Sequence, residues 1–242
     1  MIFPILTKNN PYEIVVEIES KGPTNCKIVG FNSIIPSNKY FDREVPVNGK
    51  VRIHLGCPCS PSLMMVKVTS DGPIKKKVKK NPLNTYENNL PKSIRDYLKF
   101  TKWFSEELPS LSTSSKYYSK RNKKYRVHLF DKILGPNGES TTPARIHKNQ
   151  HFIEVSKSKF MEYTVPMRAF IMCHEFAHVY LNKDPRNEVE ADVNGMKLYM
   201  AMGFPVIECM YSFTKVFGES PETLERSKNA YKILKEEENR RK

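Results

Sequence analysis

Two histidines four residues apart with a glutamate beside the first, His174-Glu175-Phe176-Ala177-His178, supply the residue types from which a metal-dependent hydrolase is built. On a helix, positions i and i+4 lie one above the other, so both imidazoles project from one face about one turn apart. Two such nitrogens can hold one Zn2+, and the carboxylate of Glu175 is then placed to take a proton from a water at the metal. Residue frequencies alone produce His-Glu-x-x-His in roughly one chain in a hundred of this length, so the surrounding sequence has to decide.

The elements that must position these side chains are legible around them. Thr164-Val165-Pro166 reads as a helix start, with Thr164 as cap and Pro166 in the first turn. Phe170, His174, Ala177, His178 and Leu181 recur at helical spacing. The helix is expected to end in residues 182–184, because Asp184-Pro185 reads as the cap and first residue of a second helix, running from about Pro185 to Met202. A turn this short makes the two helices antiparallel neighbours. Glu188, in the first turn of the second, then lies across from His178, and Asp192 shares its face. Glu190 is rotated about 200° from Glu188. Glu188 is therefore expected as third ligand and Asp192 as the carboxylate that accepts a hydrogen bond from a ligand histidine. Glu190 and Asp184 are the lesser alternatives for the ligand. Three protein ligands and a water make an open, catalytic type of site.

The segment 174–178 followed by Glu188-Val189-Glu190-Ala191-Asp192 resembles the gluzincin metallopeptidases, whose signature is HExxH followed by ExxxD. Residues 188–205 are similar to the HtpX-like and CAAX-prenyl-protease-like branch, in which such a helix ends in a Gly-aromatic turn. The short spacer between His178 and Glu188 is closer to compact minimal members such as the ImmA/IrrE-like proteins. The resemblance implies His174, His178 and Glu188 as zinc ligands, Glu175 as base, Asp192 as their supporting carboxylate and peptide-bond hydrolysis as the activity. Residues 220–226 are faintly similar to the family's later His-Pro…Arg segment, without its histidine.

A second electrophile is usually wanted in such a reaction. His147, His151, Tyr163, Tyr199 and Arg226 are candidates by type. Residues 125–134 and 151–156 read as strands, and 151–156 is the expected edge strand along which an extended peptide would bind. A buried histidine pair without metal, or a zinc site without catalysis, are the competing readings of the motif. His54 and His128 fall in strands and read as ordinary histidines, and Met196, Met200, Met202 and Met210 as packing residues.

The rest of the chain bounds these expectations. Its 242 residues hold one large or two small domains, and 39% hydrophobic content allows a proper core despite a net charge of +14. No stretch approaches a membrane span, and the first residues lack the charged start and apolar length of a secretory signal. Five cysteines without a regular framework point to reduced thiols and a cytoplasmic setting. Cys26, Cys57 and Cys59 are a weak second metal candidate.

Short strand signals at 12–19, 26–31, 51–55 and 63–69, with Asn48-Gly49 as a hairpin turn, predict a small antiparallel β-sandwich or barrel over residues 1–72. It shows no chemistry of its own and reads as an attachment or assembly module. Residues 73–90, rich in lysine, are expected as an exposed basic linker, followed by a zincin-like domain over 91–242. Within it, 92–108 reads as an amphipathic helix carrying the single tryptophan, Trp103, and about 221–242 as a terminal helix. The basic run 116–126, interleaved with Tyr117, Tyr118 and Tyr125, has a composition that can hold nucleic acid, although a solvated face or a contact with an acidic protein is the preferred reading. The expected class is α+β and the expected function zinc-dependent hydrolysis of a peptide or protein. The alternative is a structural or assembly protein, for example of a bacteriophage virion, that keeps the fold with little or no catalysis.

Overall fold

The computed structural model describes residues 1–7, 10–120, 123–138, 142–147, 149–218 and 220–240. The fold is α+β, and the chain divides into two compact units, Met1–Thr85 and Tyr86–Lys242.

The first unit contains strands β1 (Ile2–Leu6), β2 (Tyr12–Ser20), β3 (Thr24–Asn32), β4 (Lys39–Val47), β5 (Lys50–Cys57), β6 (Leu63–Ser70) and β7 (Ile74–Pro82). They form two antiparallel sheets, ordered β1-β6-β3-β4 and β5-β2-β7. Alternation places Ile14, Val16 and Ile18 of β2, Cys26 and Ile28 of β3, and Met64, Val66 and Val68 of β6 in the core. Bonds cross from one sheet to the other: Tyr12 Oη reaches Met64 Sδ at 3.4 Å and Ser20 Oγ donates to the Val47 carbonyl at 3.4 Å. A side chain at Gly30 would collide with the ring of Phe41, so that close approach requires glycine.

Two expectations for this unit are corrected. The tight turn at Asn48-Gly49 forms, with Gly49 at φ +80°, but it closes no hairpin. It carries the chain from one sheet to the other, and β5 pairs with β2 instead. The residues expected to begin a linker are strand β7, paired with β2 from Tyr12–Pro82 to Ser20–Ile74. Its lysines fit a strand because β7 is a sheet edge, where charge is favoured and blocks unwanted pairing. Lys79 binds Glu17 at 2.9 Å, while Lys76 and Lys80 donate to the carbonyls of Val68 and Leu6.

The second unit carries α1 (Lys92–Glu107), β8 (Ser115–Tyr118), β9 (Arg126–Phe130), β10 (Ala144–His147), β11 (Phe152–Ser156), α2 (Lys157–Met161), α3 (Val165–Tyr180), α4 (Glu188–Ala201), α5 (Val206–Phe217) and α6 (Pro221–Arg240). Its sheet is ordered β10-β11-β9-β8, with β9 and β11 parallel and the other pairs antiparallel. The expected edge strand, β11, therefore lies inside the sheet, and β10 forms the edge. Val127, Leu129, Ile153 and Val155 point into a core shared with Tyr97, Leu98 and Phe104 of α1 and Phe170, Cys173 and Phe176 of α3. Thirteen residues of α3 are buried, which makes it the central helix rather than a surface one. Tyr97 stacks on Phe176 with ring centres 3.8 Å apart and donates to the Met172 carbonyl at 2.5 Å. Met196, Met200 and Met202 pack in the core as expected. No helix among the described residues is long and apolar enough to cross a membrane.

Candidate metal centre

Thr164 caps α3 as expected, its hydroxyl accepting from the Met167 N–H at 3.4 Å. The helix ends at Tyr180. The second helix starts later than Pro185, because Asn187 rather than Asp184 takes the cap position and accepts from the Glu190 N–H at 3.0 Å. Asp184 instead closes a short turn by accepting from the Arg186 N–H at 2.9 Å. Glu188 is thereby the first residue of α4, at the end that faces the last turn of α3.

This arrangement brings His174, His178 and Glu188 together, with one candidate ligand atom from each lying within 4.8 Å of the others. The two histidine Nε2 atoms face each other at 3.2 Å. Glu188 places Oε2 3.4 Å from His174 Nε2 and Oε1 3.4 Å from His178 Nε2. Ligands bound at ~2.05 Å around a tetrahedral zinc are about 3.3 Å apart, and the 3.2 Å between the two Nε2 atoms is close to that, while the Glu188 carboxylate faces both nitrogens, one oxygen toward each. The donor set, two imidazoles and a carboxylate, is also one that zinc takes. Cys26, Cys57 and Cys59 are buried in the first unit, and the His174/His178/Glu188 group is the one with metal-binding geometry among the described residues.

The surroundings orient each ring. His178 Nδ1 lies 3.0 Å from the Pro185 carbonyl, an acceptor that fixes the N–H there and leaves Nε2 with its lone pair. His174 Nδ1 lies 3.1 Å from Asp192 Oδ1, slightly out of line for a full hydrogen bond. Asp192 is gripped in turn by Arg226 of α6, through Nε and Nη2 at 2.8 Å each, and Arg226 Nη2 comes within 3.6 Å of Glu188. The guanidinium lies over the rings of Phe213 and Phe217, and Phe217 also packs against His174.

Charge follows from this packing. Burial alone would lower the His174 imidazolium, but Asp192 and Glu188 overcome it and raise its pKa to about 9 in the metal-free protein. The two imidazoles facing it, at 3.4 Å each, hold the Glu188 carboxyl far below its ordinary range. Glu175 projects beside the cluster and reaches the backbone N–H of Ile146 on β10, the edge strand. Burial pushes its carboxyl up, against the pull of the two imidazoles.

Of the five residues named by type as electrophiles, Arg226 is the one brought to the cluster, where it braces Asp192. His147 pairs with Glu154 at 3.0 Å, His151 occupies a turn at φ +53°, Tyr163 is half-buried against the core, and Tyr199 lies in the core 3.3 Å from Ser212. Sequence reasoning missed Gly195. A Cβ there would lie 2.9 Å from the Cα of His174, so α4 can press its backbone against the turn of α3 that carries His174 only with glycine. A glycine inside a helix costs about 1 kcal/mol relative to alanine, and that cost was the available signal of a close approach.

Compared with models of known protein families, with characterised proteins and with solved structures, the chain matches none.

Proposed function

We propose that this protein is a zinc-dependent metallopeptidase, with His174, His178 and Glu188 as zinc ligands and Glu175 as general base. The observation that carries this reading is the triangle of His174 Nε2, His178 Nε2 and the Glu188 carboxylate, with separations of 3.2, 3.4 and 3.4 Å. Zinc in such a setting supplies an acidified water and a polarised substrate carbonyl.

The chain's own residues do the rest. Glu175, its carboxyl raised by burial, accepts the proton that the attacking water must lose and delivers it to the leaving amine. The Pro185 carbonyl and Asp192 hold the two imidazoles with Nε2 facing one point, and Arg226 holds Asp192 in place. The N–H of Ile146 tethers Glu175 to β10. The base thus stands beside β10, the last strand of its sheet, along which an extended substrate peptide would lie in this reading.

Metal analysis of the purified protein, of Glu175→Gln and of His178→Ala, each assayed on a broad peptide library, tests this. Wild type and Glu175→Gln should hold about one zinc per chain, and His178→Ala should hold far less. Hydrolysis should be fast in the wild type, lowered about 10²- to 10⁴-fold in Glu175→Gln and lost with the metal in His178→Ala. Protein free of zinc after chelator-free preparation overturns the ligand assignment. Zinc held without hydrolysis of any library member favours the assembly role instead.

A further inference from the structure

The sheet of the second unit has two faces, and the one turned away from α1 and α3 is unlike a solvated surface. Register places its side chains in two rows across the four strands. One row reads Lys116, His128, Glu154, Arg145 and the other Tyr118, Arg126, Phe152, His147. Eight positions thus carry three permanent cations, two histidines, two aromatic rings and one acid, with no aliphatic residue among them. Phe130, beyond the first row and opposite Ser156, is 36% exposed, and Tyr118 in the second row is 40% exposed.

The groups on this face are held flat. His128 and His147 stack on either neighbour position of Phe152, with ring centres 3.9 and 4.3 Å from it and planes within 19° and 18°. The Arg126 guanidinium lies 5.4 Å from the same ring and donates to the Gln150 carbonyl. Glu154 is answered on its own face by Arg145 at 2.6 Å and His147 at 3.0 Å. Among the described residues no carboxylate pairs with Lys116 or Arg126, and His128 Nε2 is enclosed with no hydrogen-bond partner. Burial, then Lys116 and Arg126, push the His128 imidazole below its ordinary pKa, as expected where the local potential is positive.

We propose that this face, built on Lys116, Tyr118 and Arg126, binds single-stranded nucleic acid. Charge complementarity selects a polyanion, since uncompensated cations on a +14 chain attract phosphates. The exposed rings select the single strand, because unpaired bases can stack on aromatic side chains whereas a duplex hides them. A four-stranded sheet offers this chemistry on a flat platform. The binding is independent of the metal centre. Of the basic run that first drew attention, residues 121 and 122 lie outside the described residues. Tyr117 and Tyr125 turn inward, so Tyr118 is the tyrosine of that run on the open face.

Fluorescence anisotropy of a labelled 12-nucleotide oligouridylate against the full chain in chelator tests it. The single strand should bind at 50 mM salt and release as salt rises. Lys116→Ala with Arg126→Ala should weaken binding at least tenfold and reduce the log–log salt slope by about 1.4. Tyr118→Ala should weaken it at least about fivefold at fixed salt. Lys116→Glu, a change at an exposed strand position, should weaken binding while leaving the circular dichroism spectrum unaltered. Lys75→Ala with Lys77→Ala, on the other basic strand, should change it less than twofold. The proposal fails if the single strand does not bind, if the β7 pair weakens binding equally, or if a duplex or polyglutamate binds as tightly.

Discussion

The two units bury different kinds of polar group. In the first, the buried polar side chains are Thr7, Ser20, Thr24, Asn38 and Ser60, all neutral. In the second, Arg168, His174, His178 and Asp192 are buried as well, and each can carry charge. A neutral hydroxyl inside a β-sandwich needs one hydrogen bond, whereas a buried ion destabilises the fold unless several partners surround it. The first unit is therefore built for persistence, and the second tolerates a local cost that a functional site explains.

Within the second unit the four ionisable groups also differ. Arg168 is satisfied by the chain itself, donating to the carbonyls of Phe160 at 2.9 Å and Ser105 at 3.0 Å, and so joins α1 to α2. The histidine pair is not self-sufficient. Its two Nε2 atoms lie 3.2 Å apart beside the Glu188 and Asp192 carboxylates, a setting that favours a cation there, either a proton or a metal. The comparison thus separates an ion that the chain satisfies by itself from a cluster for which a bound metal is the proposal.

The largest expected effect tests this division. Zinc added to metal-free protein should slow amide hydrogen exchange across 86–242 and leave 1–85 unchanged. With zinc at a thousand times its Kd, the gain is about 4 kcal/mol for global opening of the second unit. Equal protection of both units would erase the comparison.

Arg168 and Asp192 should then part company. Arg168→Met leaves the buried Ser105 carbonyl without this donor, while that of Phe160 keeps the Tyr163 N–H, so it should destabilise the second unit by about 1–3 kcal/mol while zinc affinity of the folded protein changes little. Asp192→Asn keeps the shape but removes the charge that Arg226 and His174 share, so zinc affinity should fall about 10- to 100-fold. Competition with a chromophoric chelator measures both. An Arg168→Met protein that folds normally but loses zinc would place Arg168 with the site.

Gly195 sharpens the contrast by geometry alone. Gly195→Ala pushes a methyl against the His174 backbone and should cost about 1–3 kcal/mol in the second unit, with weaker zinc binding, because the ligand-bearing helices must separate. Gly30→Ala meets the Phe41 ring in the first unit and should reduce stability there without touching metal affinity.

What the sequence revealed follows how local each signal is. The start of α3 and the facing of Glu188 toward His178 depend on residues within one short turn, and both were readable from Thr164, Pro166 and the ExxxD spacing. The start of α4 was read three residues early, because Asp184-Pro185 and Asn187 are both good caps and tertiary packing chooses between them. Strand β7 was read as a linker because five lysines look solvent-bound when no partner is visible. Its partner was nonetheless written in β2, whose Glu17 and Glu19 stand opposite Lys77 and Lys75. The Arg226–Asp192 pair spans 34 residues, and no local pattern announces which acid an arginine on a distant helix will meet.

The smallest effect concerns pH, and here the units should diverge in one window. In the first unit the shifted carboxyls are Glu17, held down by Lys79, Asp71, held down by Thr24 and Asn25, and Asp42, where Lys39 outweighs burial. Their folded values lie below their unfolded ones, so their contribution is present above about pH 4 and lost as pH falls. The unit's other shifted groups, Cys26 and Lys27, titrate above pH 9. In the metal-free second unit Glu188 adds a similar acid arm, but His174 works the other way. Its folded pKa of about 9 exceeds the ordinary 6.5, so its contribution is complete below pH 6.5 and is lost as pH rises toward 9. Exchange-detected opening of 86–242 should therefore become easier between pH 6.5 and 9 after correction for the intrinsic exchange rate, while that of 1–85 should not. Zinc should reverse the trend, because the metal must displace the His174 proton and binds more tightly as that proton leaves. A metal-free second unit whose stability is flat across this window would mean that Asp192 and Glu188 do not hold a proton on His174.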